Sequence, residues 1–233
     1  MSRPVCAVVG VGEGNGAALA RAFSDAGMAV ALLARRLDFI SKLAASLPEA
    51  RAYACDAADA ASVAEAFARV RSELGDPTTF IYNAGSGVWG DVESISLESF
   101  EAAWRVNAYG ALAVSQQVIP AMKAAGSGTI IFIGATASRR GGPNTAAFAP
   151  AKAAQRSLAE SMARSLWPLG IHVALIVIDA VVDLPRARKM MPDKPDSFFL
   201  KPEDMAASAV WLARQPRSAW TFEIEVRPNG ERW

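Results

Sequence analysis

Residues 5–16 of the chain read VCAVVGVGEGNG, an apolar run that passes directly into a glycine-rich turn. A segment with helical periodicity and a second apolar run, MAVALLA, follow it, which indicates a βαβ unit. Glycine lets such a turn bend sharply and approach a pyrophosphate, whose charge then lies at the free amides of the helix N-terminus. Glycine-rich strand–helix turns also occur for steric reasons. In this context, however, we predict dinucleotide binding by Gly10, Gly14, Asn15 and Gly16.

Strand and helix patterns alternate along the whole chain. Apolar or β-branched runs predict strands near residues 4–10, 28–34, 50–56, 78–85, 128–134, 171–178 and 222–228. Segments with helical period lie between them, at 17–27, 61–75, 97–126, 146–170 and 202–215. Several strands are apolar throughout, as expected of strands covered on both faces. The pattern predicts an α/β fold, a single domain over residues 1–233 with a Rossmann-like doubly wound parallel sheet of about seven strands flanked by helices.

The composition is that of an ordinary globular protein and argues against several functions. The formal net charge of +1 gives no field to attract nucleic acid or an anionic membrane, so neither is expected as a partner. The most apolar stretch, residues 171–182, is too short to span a bilayer and contains His172 and Asp179. Cys6 and Cys55 have no metal-ligand spacing. We therefore expect no metal, two buried free thiols and a reducing, cytoplasmic location.

The end of the second predicted strand bears on which dinucleotide binds. An NAD site would place Asp or Glu there for the ribose diol, whereas this chain has Arg35 and Arg36. A guanidinium at that point favours the 2′-phosphate of NADP(H), with NAD(H) possible as a second cofactor. Two solvated arginines that open a helix are the alternative. Glu13 in the glycine turn is a counter-signal, because a carboxylate would repel the added phosphate.

Further motifs follow in a fixed order along the chain. Asp56 ends the third strand in YACDA, Asn83-Ala84-Gly85 follows the fourth, and Asn107 lies in the central helix in WRVNAYG. With the glycines of the first turn, these residues resemble the short-chain dehydrogenase/reductase family over essentially the whole chain. The resemblance implies a nicotinamide-dependent oxidoreductase acting on a small-molecule substrate.

The resemblance also implies roles for individual residues. Asp56 would hold the adenine, although an aspartate at a strand end can simply cap the next helix. Asn107 would kink its helix and hold a water beside Lys152, which accounts for a poor helix former among apolar neighbours. Asn83, Ala84 and Gly85, together with Lys152 and Val181, would contact the cofactor.

The chain departs from the family where the chemistry takes place. In the family a tyrosine exchanges the proton, a lysine four residues later lowers its pKa, and a serine holds the substrate oxygen. Here Lys152 is present, but Phe148 stands at the tyrosine position and Ala135 at the serine position. The Pro-Gly that the family has after the sixth strand reads Ile178-Asp179. Pro150 predicts that the helix begins just before Phe148, since proline fits a first turn but not an interior.

Two functions remain open at this point. The intact cofactor motifs favour NADP(H)-dependent hydride transfer to or from a small carbonyl or alcohol, with an atypical proton relay in which Lys152 and Asn107 are the catalytic candidates. The missing hydroxyls favour a non-catalytic NADP-binding protein, a sensor or partner subunit. A different chemistry on the same fold is a weaker third possibility. An irregular, basic segment at 183–200 is predicted as a substrate lid, or else a solvated connection, and the family implies a homodimer or homotetramer.

Overall fold

The computed structural model describes residues 3–231. Within that range the strands are β1 Val5–Val9, β2 Ala29–Ala34, β3 Ala50–Ala54, β4 Pro77–Tyr82, β5 Gly128–Ala135, β6 Ile171–Ile178, β7 Val181–Val182, β8 Phe199–Leu200 and β9 Glu223–Val226. The α-helices are α1 Asn15–Asp25, α2 Leu37–Ala45, α3 Ala60–Glu73, α4 Leu97–Trp104, α5 Gly110–Ala125, α6 Phe148–Leu166, α7 Pro185–Met190 and α8 Pro202–Ala213.

Seven of the strands form one parallel sheet in the order β3-β2-β1-β4-β5-β6-β9. The predicted doubly wound α/β fold and its strand number are confirmed. The strand order reverses between β1 and β4, so the connections leave the sheet in opposite directions there. In such sheets the crevice at the carboxyl ends of these two strands is where ligands bind.

The sheet separates two apolar cores. One face packs against α3, α5 and α6 through residues such as Phe67, Val118 and Met162. The other packs against α1, α2 and α8 through residues such as Phe23 and Leu212. Because both faces are covered, the central strands are apolar at nearly every position.

The two cysteines are buried free thiols, as predicted: Cys6 lies in β1, and Cys55 directly follows β3. Burial raises the pKa of the Cys55 thiol to about 12, so it is an inert, uncharged group near neutral pH. In the described part of the chain, none of the helices combines the length and hydropathy that a membrane span requires.

The predicted helix over 97–126 is interrupted in its middle. A π-helical turn, Arg105–Tyr109, separates α4 from α5 and contains Asn107. The Asn107 amide donates to the Ala103 carbonyl at 2.8 Å, a competing side-chain bond that disturbs the regular helical ladder. Asn107 therefore distorts its helix, as expected, and the distortion is a π turn. Such π turns often lie at functional sites.

Segment 183–200 is more regular than the sequence indicated. Pro185 starts helix α7 after the extended residue Leu184, and helix-forming Ala, Arg, Lys and Met residues continue it. Val181 and Val182 of β7 pair with β8 at the other end of the segment. The prediction that this segment is irregular is wrong, because the three prolines of the segment lie where a helix or a turn begins.

Candidate functional site

The glycine turn and the Asn83-Ala84-Gly85 turn are in direct contact at the switch point of the sheet. Gly10 has φ of 89°, and a Cβ there would lie 2.3 Å from the backbone nitrogen of Ala84. The side-chain amide of Asn83 donates to the Gly10 carbonyl at 2.7 Å. Two motifs that are 73 residues apart thus form one unit, and glycine is required at its centre.

The described residues around this turn fit a bound dinucleotide. A Cβ at Gly16 would meet the Cα of Val11 at 2.6 Å, so the first turn of α1 packs tightly on the loop. A Cβ at Gly12 would have no atom within 4 Å, which leaves the loop open on that side. Helix α1 starts without a side-chain cap, and Asn15 Oδ1 is buried without a hydrogen-bond partner in the described residues. Open space, free first-turn amides and an unsatisfied polar atom suit a pyrophosphate with its sugar hydroxyls.

The residues predicted to hold the adenosine half lie at the ends of β2 and β3. Arg35 and Arg36 are exposed beside the glycine turn, where the amides of Gly10 and Val11 donate to the Leu33 carbonyl. Neither guanidinium has an ion pair within residues 3–231, so both are available to a ligand. Helix α2 begins at Leu37, directly after Arg36. The structure is therefore also consistent with the alternative, in which the two arginines simply open a helix.

Asp56 follows β3 and orders the turn that leads into α3. Its carboxylate accepts from the amide of Ala58 at 3.0 Å, and its own amide donates to the Ser62 hydroxyl at 2.9 Å. The cap of α3 is a different residue, Asp59, which accepts from the Ala61 amide. The second carboxylate oxygen of Asp56 is not required by the turn and can accept from an adenine amino group.

Lys152 lies on α6 and its amine is enclosed by protein. The side chain donates to the Ile133 carbonyl at 2.8 Å and to Gln155 Oε1 at 3.1 Å. A methyl group on Gly85 would lie 3.7 Å from Lys152 Nζ and 3.4 Å from Asn107 Oδ1, so the three residues predicted as neighbours are together. Burial lowers the pKa of Lys152 to about 7. The amine is therefore poised to gain or lose a proton near neutral pH.

Phe148 is the first residue of α6, one helical turn before Lys152, as Pro150 predicted. The indole of Trp89 packs on its ring, with centroids 5.4 Å apart. Ala135 ends β5, and its amide donates to the Ser138 hydroxyl at 3.1 Å. Thr136, the next residue, gives its hydroxyl to the buried carboxylate of Asp179, which Arg227 also binds. The two hydroxyls nearest Ala135 thus have protein partners.

Three other groups that could exchange a proton have different surroundings. The Tyr82 hydroxyl donates to the Val106 carbonyl, and burial raises the pKa of Tyr82. Tyr109 packs beside Trp104 under the Arg105 guanidinium. Asp183 accepts two hydrogen bonds from one guanidinium, which hold the pKa of its carboxyl below the usual range. Asp183 is consequently a carboxylate at neutral pH and has no proton to donate.

Segment 183–200 covers the glycine turn. A Cβ at Gly14 would lie 2.6 Å from Leu184 Cδ2, so the leucine lies over the turn. Within the segment, Arg188 binds Asp183 at 2.7 Å and Asp196 at 2.5 Å, and its guanidinium lies 4.2 Å from the centre of the Phe199 ring. Val181, predicted to contact cofactor, lies half-buried at the start of this region and pairs with Phe199. We call the contacts of Arg188 with Asp183, Asp196 and Phe199 the Arg188 clasp.

Gln155 is the site residue that the sequence interpretation missed. Its side chain is fully buried and contacts both Lys152 and the Asn107 carbonyl. The signal was present, because Gln155 follows Lys152 by three positions on the buried face of α6. A polar amide on an otherwise alanine-rich buried face requires a partner. His172, in contrast, has a structural position: it stacks on Trp220 and bonds the Thr221 carbonyl.

The fold and this site define a dinucleotide-binding α/β protein of the oxidoreductase type. Residues 4–190 match the family model described as short chain dehydrogenase, and the chain belongs to that family. Membership, together with relatives named as oxidoreductases, supports an NAD(P)-dependent oxidoreductase.

Individual relatives extend over nearly the same length. A D-threitol dehydrogenase of Mycolicibacterium smegmatis is 28% identical over 221 residues, covering 90% of this chain and 85% of that protein. An inactive 2-(S)-hydroxypropyl-CoM dehydrogenase 2 of Xanthobacter autotrophicus is 29% identical over 208 residues, covering 83% and 90%. The crystal structure of a metagenomic short-chain oxidoreductase in complex with NADP superposes with a TM-score of 0.85 at 27% identity, covering 98% of each chain.

Proposed function

We propose that this protein is an NADP(H)-dependent short-chain oxidoreductase that interconverts a small carbonyl compound and its alcohol, with Lys152 exchanging the proton. The observation that carries the proposal is the buried Lys152 amine with a pKa of about 7, one turn from Phe148 and beside Asn107 and Gly85. When bound, NADP(H) donates or accepts a hydride. The protein then has to supply or remove one proton at the substrate oxygen. With this pKa, Lys152 can supply the proton as an ammonium and remove it as a neutral amine near neutral pH.

The proposal assigns Phe148 and Ala135 to the positions where the family has tyrosine and serine. A positioned acid–base group typically contributes about 10²–10⁴-fold to a rate, and one oxyanion donor about 10²–10³-fold. With both hydroxyls absent, the chain has to rely on another group or turn over slowly. Lys152 supports this role because the Tyr82 proton is given to a backbone carbonyl and Asp183 is an ion-paired carboxylate.

NADP(H) is the proposed cofactor, with NAD(H) as the weaker ligand. Gly10, Gly14, Asn15 and Gly16 would hold the pyrophosphate, and Arg35 and Arg36 the 2′-phosphate. Asp56 would hold the adenine. The 83–85 turn, Lys152 and Val181 would hold the nicotinamide riboside. The NADP complex of the metagenomic relative supports this choice. Glu13 is exposed in the same turn, so the preference over NADH is expected to be moderate.

The test is calorimetric binding of NADPH and NADH, followed by NADPH absorbance assays against a panel of aldehydes and ketones. Lys152→Met should abolish turnover in a folded protein, because methionine keeps the side-chain volume but has no proton to exchange. Lys123→Met, at an exposed lysine of α5, is the matched control and should leave turnover unchanged. If no carbonyl or alcohol changes the redox state of the cofactor, the oxidoreductase proposal fails.

A specific contact also supports the second candidate, a non-catalytic NADP-binding sensor or partner subunit. Trp89 packs on Phe148, so an aromatic pair would fill the position that the resemblance assigns to the family's tyrosine. The relative from Xanthobacter that is named an inactive dehydrogenase supports this candidate. This candidate predicts that NADP raises the melting temperature without turnover. It also predicts that a Phe148→Tyr, Ala135→Ser double variant gains reductase activity.

We further propose a homodimer or homotetramer, a lid and a cytoplasmic location. Apolar side chains are exposed along α4 and α5: Leu97, Phe100, Trp104 and Leu112. Several exposed apolar side chains on two consecutive helices, here called the apolar patch, favour a second copy of the chain as their partner. Segment 183–200 is proposed as the lid of the single domain because Leu184 already lies over the glycine turn. The two uncharged, buried thiols support a reducing compartment.

A further inference from the structure

The side chain of Gln155 connects the two polar groups of the site that the sequence singled out. Its Oε1 accepts from Lys152 Nζ at 3.1 Å, and its Nε2 donates to the Asn107 carbonyl at 3.0 Å. We propose that Gln155 is a positioning residue, whose amide fixes the Lys152 amine against the π turn by a direct bridge. The role of the bridge in catalysis rests on the proposed function, whereas the bridge itself does not.

The chemistry of the two partners dictates glutamine at this position. A backbone carbonyl can only accept, and an ammonium can only donate, so the bridging group needs one donor and one acceptor. The primary amide of glutamine provides both a donor and an acceptor. Its orientation is fixed as well, because the reverse placement would set its NH2 group against the Lys152 ammonium and its oxygen against the Asn107 carbonyl. Leucine or methionine would take one acceptor from Lys152 and the side-chain donor from the Asn107 carbonyl, and glutamate would face that carbonyl with a second acceptor.

The bridge matters because Lys152 is 5% exposed and, in residues 3–231, has no carboxylate within ion-pair distance. Charged groups on the elements that pack against α6 are paired elsewhere. Arg156 binds Glu223, Arg105 binds Glu101, and Asp179 binds Arg140 and Arg227. Neutral oxygens of Ile133 and Gln155 therefore stabilise the ammonium. Such hydrogen bonds favour the charged form and oppose the effect of burial.

The bridge also determines the side on which the Lys152 amine can exchange a proton. Two of the three ammonium hydrogens are directed to Ile133 and Gln155, which leaves the third for a group on the Gly85 side. A carboxamide does not take up or release protons near neutral pH. Protons from Lys152 consequently do not pass through Gln155 to the Asn107 carbonyl, and exchange occurs towards the Gly85 side.

The experiment titrates Lys152 itself in the full-length apoprotein. Lysine side chains are labelled with ¹³C and ¹⁵N, and the Lys152 resonance is assigned from its loss in Lys152→Met. Gln155→Met keeps the volume but removes the acceptor, and should lower the pKa of Lys152 by about one pH unit. Gln155→Glu places a carboxylate beside the amine, and should raise that pKa by about 1–3 pH units. Ser115→Ala removes a buried hydroxyl that bonds Ala111 on α5, and should change nothing.

Shifts of the Lys152 pKa in opposite directions in the two Gln155 variants establish the bridge. A glutamine with a purely structural role would produce neither shift. An unchanged titration in a folded Gln155→Glu protein overturns the proposal, as does an equal shift in Ser115→Ala. If Gln155→Met does not fold, Gln155→Glu alone decides the outcome. NADPH binding by the wild type is measured separately. Its absence would refute the proposed function and leave the bridge intact, whereas an insensitive Lys152 would refute the bridge and leave cofactor binding intact.

Discussion

The backbone of Gly10 lies against the backbone of Ala84, so closely that a Cβ on the glycine would fall 2.3 Å from the alanine nitrogen. This contact joins the turn after β1 to the turn after β4 across the switch point of the sheet. Because both atoms belong to the backbone, neither can move aside as a side-chain end could. The architecture of the cofactor site therefore depends on one hydrogen atom in place of a methyl group.

Gly10→Ala should destabilise the apoprotein by on the order of 2–6 kcal/mol, from strain at positive φ together with the clash. Gly12→Ala is the matched control, since a Cβ there meets nothing within 4 Å. We expect Gly12→Ala to unfold like the wild type but to bind NADPH about tenfold or more weakly, because the methyl group enters the open space above the turn. Urea unfolding and calorimetry measure the two effects. Equal stability losses in both variants would contradict this account of the contact.

Lys152 should give the protein a characteristic pH dependence of stability. Its folded-state pKa of about 7 lies below its unfolded value of about 10.4. Between these values the unfolded chain binds the extra proton, so this group makes stability rise with pH, by up to about 1.4 kcal/mol per pH unit. Below pH 7 the full cost of the buried charge is present.

Lys152→Met lacks this titration. The free energy of unfolding of the variant minus that of the wild type should be largest at pH 6 and should decrease through pH 9, as measured by urea unfolding. Lys123→Met, at an exposed lysine, is the control for the loss of one positive charge. A difference that stays constant with pH in Lys152→Met would show that Lys152 is not buried as described.

Arg35 and Arg36 should discriminate between the two nicotinamide cofactors. Replacing both by alanine should weaken NADPH binding by about 10–100-fold, the value of one charge-assisted hydrogen bond, and leave NADH binding unchanged. Arg21→Ala, an exposed arginine on α1, serves as the control for general charge. Calorimetry of all three proteins with both cofactors measures the effect. Parallel losses for NADH and NADPH would mean that these arginines do not contact the 2′-phosphate.

Trp104 should hold copies of the chain together. It is 43% exposed on α4, within the apolar patch. Trp104→Glu should convert the assembly to monomers, because association would bury an unpaired carboxylate. Trp211 on α8 is 54% exposed and outside the patch, so Trp211→Glu should leave the assembly intact. Sedimentation velocity distinguishes the two results. A monomeric wild type would refute the proposed oligomer at once.

The sequence predicted those features that depend on local periodicity and on fixed turns. The seven strands of the large sheet follow from apolar runs, and the start of α6 from the position of Pro150. Helix α2 was given no range from the sequence and entered only as the alternative in which Arg35 and Arg36 open a helix, because it is short and has no side-chain cap. The π turn was not predicted either, since an asparagine in a helical pattern indicates a disturbance but not its geometry.

Contacts between distant segments were beyond the sequence. The packing of Trp89 on Phe148 and of Leu184 on Gly14 joins loops whose paths are set by tertiary packing. The Gln155 bridge joins two helices, and its Asn107 partner is a carbonyl, which any residue would provide. The sequence marked Lys152, Asn107 and Gly85 separately, and the structure brings them within a few ångströms of one another.

The Arg188 clasp holds the two ends of segment 183–200 together, so the segment is one connected unit and not a loose loop. One guanidinium joins the segment's beginning, its end and an aromatic ring, so these contacts have to break together when the segment lifts off Gly14. If segment 183–200 acts as the proposed lid, salt would weaken the two ion pairs of Arg188 and so favour its release, because the partner carboxylate of Asp196 is exposed to solvent.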